Sequence, residues 1–447
     1  MDAPGWGTDI TGAGAELNGF DASGSNNPSL FTYSHNNSAS GTWIAAASTN
    51  VALSAGVAYR LMVRGDRTVN QHLNASPAST TTLRAHGTIK TGDVAVADLN
   101  TAIDGYTLIG NPYQAAVDMK ALLEQSSTGL NKNFYYVWDP TRNTRGAYVT
   151  VNLDLDENNV AGSEAGRLLQ PNHAFFVRTS GADPALAFAE RFKDVTSVST
   201  PNLYRTATEA AGARIRFTLY EDAMLAQGGN SLDGFVVSFG ENYSNAIDEN
   251  DALKPVNQDE SIGLANAGKV YSFESRSLPS VSDVLPISLT QYRNTNYTYK
   301  VQVQGIDNVN AYILDKYANT RTQLANNGET SISFAVAGAD QASSAANRFD
   351  VVFETALGTD ESAFADGIRV YPNPVTGNQF FVALPSGFEG NIALSMANLI
   401  GQEVYSDAVI ATENVISVKP AKLLQSGIYL LTISNGKETT TKKLIVK

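Results

Sequence analysis

Apolar and polar residues alternate with a period of two along much of this chain, the spacing of half-buried β-strands. Val57-Ala58-Tyr59-Arg60-Leu61-Met62-Val63-Arg64 alternates strictly and predicts a strand with Val57, Tyr59, Leu61 and Val63 on one buried face. Tyr106-Thr107-Leu108-Ile109 runs into Gly110-Asn111-Pro112, a turn signal. Further strands are predicted at Phe134–Trp138, Ala147–Leu153 and Ala174–Arg178. Ala115–Leu123 instead has helical spacing and predicts one short helix. Seven more strands follow at Arg214–Tyr220, Gly234–Phe239, Leu285–Leu289, Tyr297–Val303, Ala311–Asp315, Ser331–Phe334 and Asp350–Glu354, a pattern that suits a β-sandwich.

The third stretch is the most regular. Tyr371-Pro372-Asn373-Pro374 fixes an extended turn, Gln379–Leu384 reads as a strand, and Asn391–Met396 points Ile392, Leu394 and Met396 inward. Ile400-Gly401-Gln402 turns into Glu403-Val404-Tyr405. Gly427–Ser434 and Lys437–Val446 flank Asn435-Gly436, the dipeptide preferred in type I′ hairpins because both residues tolerate positive φ. Both faces of Ile428–Ile433 are largely apolar, as in a central strand. The predicted fold is therefore all-β: two β-sandwich or jelly-roll-like modules at 1–198 and 205–355, and a small immunoglobulin-like sandwich at 368–447. Val195–Tyr204 reads as a linker into the second module, and the small, acidic segment 356–367 as a linker and region of cleavage.

Composition narrows the function classes. A length of 447 residues suggests about three units. The net charge of −13 argues against a nucleic-acid partner, which needs clustered Lys and Arg. There is no cysteine, so disulfides, thiolate nucleophiles and zinc-thiolate sites are excluded. No run of about 18 apolar residues is present to span a bilayer as a helix. Met1-Asp2-Ala3-Pro4-Gly5 lacks the basic end and apolar stretch of a signal peptide, so an exported chain of this kind is expected to be the C-terminal part of something longer. Residues 368–447 carry 7 Lys/Arg and 5 Asp/Glu, a net +2, which leaves −15 for residues 1–367.

Val370-Tyr371-Pro372-Asn373-Pro374, Ile400-Gly401-Gln402-Glu403-Val404, Ser426-Gly427-Ile428-Tyr429 and Lys442-Lys443-Leu444-Ile445-Val446-Lys447 together resemble a type A type IX sorting domain of Bacteroidota proteins. The resemblance covers about 80 of 447 residues. It implies a seven-stranded immunoglobulin-like sandwich, recognition by the outer-membrane type IX translocon with its shuttle and sortase proteins, and export to the surface or medium. Removal of the domain and attachment of the remainder to lipopolysaccharide would follow. Carried onto this chain, the recognition residues are Tyr371, Pro372, Asn373, Pro374, Gly427, Tyr429, Lys442, Lys443 and Lys447. The lysines also read simply as an edge strand guarded against aggregation. Tyr59–Arg67, Gly110–Tyr113 and Gln170–Val177 resemble segments of β-rich modules that precede such domains, with no activity implied.

Other candidate sites compete with plainer readings. Asp154, Asp156 and Asn158 offer oxygens at alternate positions, as calcium loops do. However, Asn159 stands where the turn glycine belongs and Glu164 falls one residue early; the competing reading is an acidic hairpin tip. Asp248-Glu249-Asn250-Asp251 reads as a solvated loop. Arg64-Gly65-Asp66 is an integrin-type tripeptide or a glycine turn after a strand. His35, His72, His86 and His173 have no metal-ligand spacing, and no GxSxG elbow occurs. Phe134, Tyr135, Tyr136 and Trp138 could stack on a sugar, but at strand spacing they read as core. No cofactor is called for beyond that calcium candidate. The expectation is a non-enzymatic, adhesin-like surface protein with a surface glycan or lipopolysaccharide as candidate partner. The C-terminal part of a secreted hydrolase, its catalytic domain upstream of this chain or within residues 1–195, and a passive stalk are the alternatives.

Overall fold

The computed structural model describes residues 6–72, 79–84, 87–194, 212–355, 367–385, 390–411 and 414–447. The two expected linkers and His86 lie outside these residues, apart from Gly367. The chain forms two compact units, Met1–Ala356 and Leu357–Lys447. Both are built from sheets, so the all-β expectation holds.

The first unit contains a five-stranded antiparallel sheet in the order Glu157–Asn158, Ala147–Asn152, Phe134–Asp139, Ala174–Arg178, Tyr106–Gly110. Side chains alternate across it. Tyr135, Val137, Val149, Val151, Phe175 and Val177 face a core that includes Met119, Leu122 and Leu123 of the helix Met119–Ser126. That helix starts four residues later than its spacing predicts. Asp118 caps it, its side chain accepting from the N–H of Ala121, while Val117–Asp118 pairs with Leu168–Leu169.

The strand predicted at 57–63 is also corrected. Only Arg60–Leu61 pairs, with Leu30–Ser34, and Val57 and Val63 are exposed. Tyr59 and Leu61 pack on the small cluster of Ile10, Phe20 and Leu30, too small to bury the whole alternating face.

Residues 213–355 of this unit form an eleven-stranded sheet. Its path runs Thr320–Gln323, Val309–Asp315, Phe349–Thr355, Val284–Thr290, Ser261–Asn266, Lys269–Arg276, Asp233–Phe239, Ala213–Glu221, Asn296–Gln304, Gly328–Ala335, with Ala252–Leu253 also paired to Lys269–Arg276. The two end strands are separated in sequence by residues 324–327 alone, so the sheet must curl until its edges approach. Its concave face holds one apolar core, with Ile215, Phe217 and Leu219 beside Phe235, Val237, Tyr297, Tyr299 and Val351. All seven predicted strands fall within this sheet. Ser261–Asn266 and Lys269–Arg276 were not predicted, because buried Ser272 and Glu274 hide the period-two pattern. They are joined by Ala267-Gly268 with φ of 48° and 76°, while Asn266 pairs with Lys269, a two-residue turn of the type I′ hand.

Residues expected as two modules therefore share one unit. The outward face of the five-stranded sheet (Phe134, Tyr136, Phe176) packs on Val236, Ala252 and Phe273 of the large sheet.

The second unit pairs a three-stranded sheet (Arg369–Tyr371, Phe380–Ala383, Val415–Val418) with a four-stranded one in the order Glu403–Ala411, Gly390–Asn398, Gly427–Ser434, Thr439–Val446. Ile392, Leu394, Met396, Leu431, Ile433 and Leu444 meet Phe380, Val382 and Val418 in its core. The hairpin at Asn435-Gly436 differs from expectation. Ser434 pairs with Thr439, leaving residues 435–438 in the loop, and only Gly436 has positive φ. The Asn435 carboxamide oxygen instead accepts from the N–H groups of Lys437 and Glu438, at 2.9 and 2.7 Å.

Candidate functional sites

Four motifs far apart in sequence meet at one end of the second unit. Gly427 pairs with Val446, Tyr429 with Leu444 on one side and Asn398 on the other. The Leu399–Ile400 tip, exposed at 67% and 86%, therefore lies at the same end of the sheet as the end of the last strand, with Gly427–Ser434 between them. On that strand's other edge, Asn373 acts as a surrogate strand residue. Its Nδ2 donates to the carbonyl of Lys443 at 2.8 Å, and its Oδ1 accepts from the N–H of Ile445 at 2.9 Å. The N–H of Val375 then donates to Ile445, and the N–H of Lys447 to Val375, at 2.7 and 3.1 Å. Tyr371, Pro372, Asn373 and Pro374 are exposed, and Tyr371 stacks on Phe381 with ring centroids 5.7 Å apart. Lys443 and Lys447 are exposed, Lys442 is half-buried, and the Tyr429 hydroxyl donates to the carbonyl of Gln425. A Cβ added at Gly427 would meet only that carbonyl oxygen, at 3.9 Å, so packing does not require glycine there.

The calcium candidates are dispersed by their own hydrogen bonds. Asp154 and Asp156 sit on the exposed hairpin tip at residues 153–156, with Asp154 bonded to Lys120 Nζ at 2.9 Å and Asp156 to the N–H of Arg167. Asn158 is buried, and its amide donates to the carbonyls of Ser163 and Ala165 while its oxygen accepts from Val160. Among the described residues, no three His, Asp or Glu side chains gather as a metal centre.

What sequence reading missed is the next residue along. Glu157 is buried and receives Arg214 at 2.8 Å through one oxygen and Arg216 through the other. Asn159 carries the seam further, donating to the carbonyl of Gly234 and accepting from the N–H of Thr150. Arg214 and Arg216 stand on the opposite face of their strand from Ile215, Phe217 and Leu219. Two arginines spaced by two on an otherwise apolar strand were the legible sign of a buried acidic partner. Nearby, the Arg145 guanidinium forks onto Asp259 and holds that carboxyl below its usual range. The Asp251 carboxyl is pushed up to about 6 by burial, despite accepting from the N–H groups of Asp248 and Ser275.

Of the aromatic set, Phe134, Tyr135 and Tyr136 are buried. Trp138 is half-exposed and lies edge-on to Tyr148 at 4.7 Å; Tyr148 in turn meets Phe176, which Tyr33 and Trp43 also contact. The Arg60 guanidinium lies 4.1 Å from the Trp43 ring centroid. Arg64-Gly65-Asp66 forms no projecting tip: Gly65 is buried, its carbonyl accepts from Thr8, and Asp66 closes a turn onto Thr68. His35 is buried beside Asp98, His72 is exposed, and burial pushes His173 down. An open cavity of about 290 Å³ is lined mostly by Ala95, Val96, Leu99, Pro184 and Leu186, with Asp98 and Ser126 as its polar members.

A family model described as "Domain of unknown function (DUF8693)" matches residues 6–353, almost the whole first unit. The chain belongs to this family. A second model, "Secretion system C-terminal sorting domain", matches residues 369–447. The second unit is thus a type A sorting domain of the type IX system, and the protein is a type IX substrate exported through the outer membrane to the cell surface or medium. No curated protein matches the chain. A solved structure titled "Biofilm associated protein - BSP domain" is 7% identical over 81% of this chain and 98% of its own, with a TM-score of 0.16, a likeness that carries no argument. Among the described residues of this DUF8693 protein, no helix is long and apolar enough to cross a membrane.

Proposed function

We propose that the DUF8693 unit is a non-enzymatic, adhesin-like surface module, and that the motif-bearing end of the sorting unit is what the translocon, shuttle and sortase read. The observation that carries the recognition reading is convergence. Exposed Tyr371–Pro374, the Leu399–Ile400 tip, Gly427 and the last strand lie together although they are scattered through the sequence. A partner can therefore engage all of them at once. The half-exposed Trp43, Tyr33, Tyr148 and Trp138, with the Arg60 cation on Trp43, support a surface glycan or lipopolysaccharide as ligand of the first unit, since sugar rings stack on aromatic faces. Cleavage is proposed within 356–366.

Fusing residues 356–447 to a fluorescent protein in a type IX-competent bacterium tests the signal. Export is expected, and a periplasmic fusion alongside exported native substrates would sink the assignment. Gly427→Ala separates recognition from folding, because the added methyl has room. Loss of export with an unchanged melting curve supports direct reading of this strand, whereas normal export removes Gly427 from the site. Glycan-array binding by residues 1–355, lost in Trp43→Ala, is the expected result for the first unit; no binding by the folded unit favours a passive stalk.

A further inference from the structure

Lys254 is the only lysine among the buried described residues. Its side chain is 1% exposed and that of Asp233 is 0% exposed, with Nζ 2.5 Å from Oδ1. Backbone on three strands holds the pair. Asp233 opens Asp233–Phe239, which runs parallel to Lys269–Arg276; the N–H of Lys254 donates to Val270 of that same neighbour at 2.8 Å. The second Asp233 oxygen, Oδ2, accepts the N–H of Ile262 at 2.9 Å. Leu232, Ala252 and Ile262, all 0% exposed, exclude water around it.

An isolated ion pair in such a place is a poor stabiliser, because desolvation offsets its attraction. Burial pushes the Asp233 carboxyl up and the Lys254 amine down, and the attraction between them only partly opposes this. Both trends favour proton transfer within the pair, giving a free amine beside a carboxylic acid. A desolvated lysine amine is a nucleophile, and here it is held 2.5 Å from Oδ1, the oxygen bonded to the carboxyl carbon.

We propose that Lys254 and Asp233 condense into an intramolecular isopeptide bond. Nζ attacks Cγ, the Cγ–Oδ1 bond breaks, and Oδ1 leaves as water with one proton from the acid and one from the amine. Nothing is oxidised or reduced and no co-reactant is needed. Oδ2 becomes the amide oxygen and keeps the Ile262 N–H, which steadies negative charge on it during attack. The bond would close the 233–254 segment covalently, in an exported chain that has no cysteine for a disulfide.

Intact mass spectrometry of the purified, denatured full chain tests this. The expected mass is one water below the sequence mass, and proteolysis is expected to release a branched peptide joining the segments around Asp233 and Lys254. Lys254→Arg and Asp233→Ala should each carry their full sequence mass. If the reaction is slow, the lighter species should grow on incubating the folded chain and not in urea. A wild-type chain that keeps its full mass after prolonged incubation, with Lys254 acetylated once unfolded, overturns the proposal whatever the variants do.

Discussion

Glu157 is the residue on which the seam of the DUF8693 unit turns, because one carboxylate bridges two buried guanidiniums. Its removal would leave Arg214 and Arg216 buried without it, and breaking a buried pair costs about 3–5 kcal/mol. Glu157→Ala should therefore move the urea midpoint far to lower denaturant, whereas Asp154→Ala, at an exposed pair on the hairpin tip, should cost under about 1 kcal/mol. Equal effects would contradict the burial argument. Asp251 sets a pH dependence of the less common sign. Its folded pKa, about 6, lies above the ordinary 3.8, so the folded state binds the extra proton. The stability this proton contributes is complete below about pH 4 and lost as pH rises through 6, a total of about 2–3 kcal/mol. Carboxylates such as Asp118 and Asp259 shift the opposite way, so the contribution is read as a difference: between pH 4 and 6 the stability of Asp251→Asn should rise more, or fall less, than that of the wild type. Identical slopes would show that the carboxyl does not titrate there.

Elements show where local chemistry overrides periodicity. Val117 and Met119 share the apolar helical pattern, yet one belongs to a strand and the other to a helix, with Asp118 between them as cap. Asp118→Ala should cost about 1 kcal/mol from the lost cap. Loss of the Arg167 fork adds little, because that guanidinium is 45% exposed. Hydrogen exchange at the N–H of Ala121 reports it directly, and unchanged protection there would remove Asp118 as the start signal. Strands with one apolar face, such as Ala213–Glu221 and Asn296–Gln304, were legible because burial enforces period two. Lys269–Arg276 was not, since Ser272 is buried against Thr150, distant in sequence, and Glu274 is buried with Asn266 and Arg276 as partners. The sorting motifs could be recognised in order, but their meeting at one end depends on strand register, which local sequence does not encode. Asn435-Gly436 gave its hairpin but not its turn, because Asn435 uses its side chain rather than positive φ.

Whole-molecule organisation follows from faces that are apolar on both sides. The sheet containing Phe134–Asp139 buries Tyr135 and Val137 in its own core and turns Phe134, Tyr136 and Phe176 toward Val236 and Phe273. Each such large side chain contributes about 1.5–3 kcal/mol when taken from water. The polar seam of Glu157, Arg214, Arg216, Asn159 and Arg145–Asp259 is satisfied only when both halves are present. Neither residues 6–194 nor residues 212–355 should then behave as a stable domain alone. Residues 6–194 would present an aromatic sheet face and an unpaired Glu157; residues 212–355 would present Arg214, Arg216 and Phe273 to water. Expressed separately, each should bind a hydrophobic dye and resist crystallisation, while residues 1–355 should unfold in urea with coincident near-ultraviolet and far-ultraviolet transitions. Two resolved transitions, or a soluble and dye-negative 6–194 fragment, would mean that the halves are separate modules in contact. The coincident outcome would instead make the family-wide unit, residues 6–353, the smallest piece that can be exported folded or tested for ligand binding.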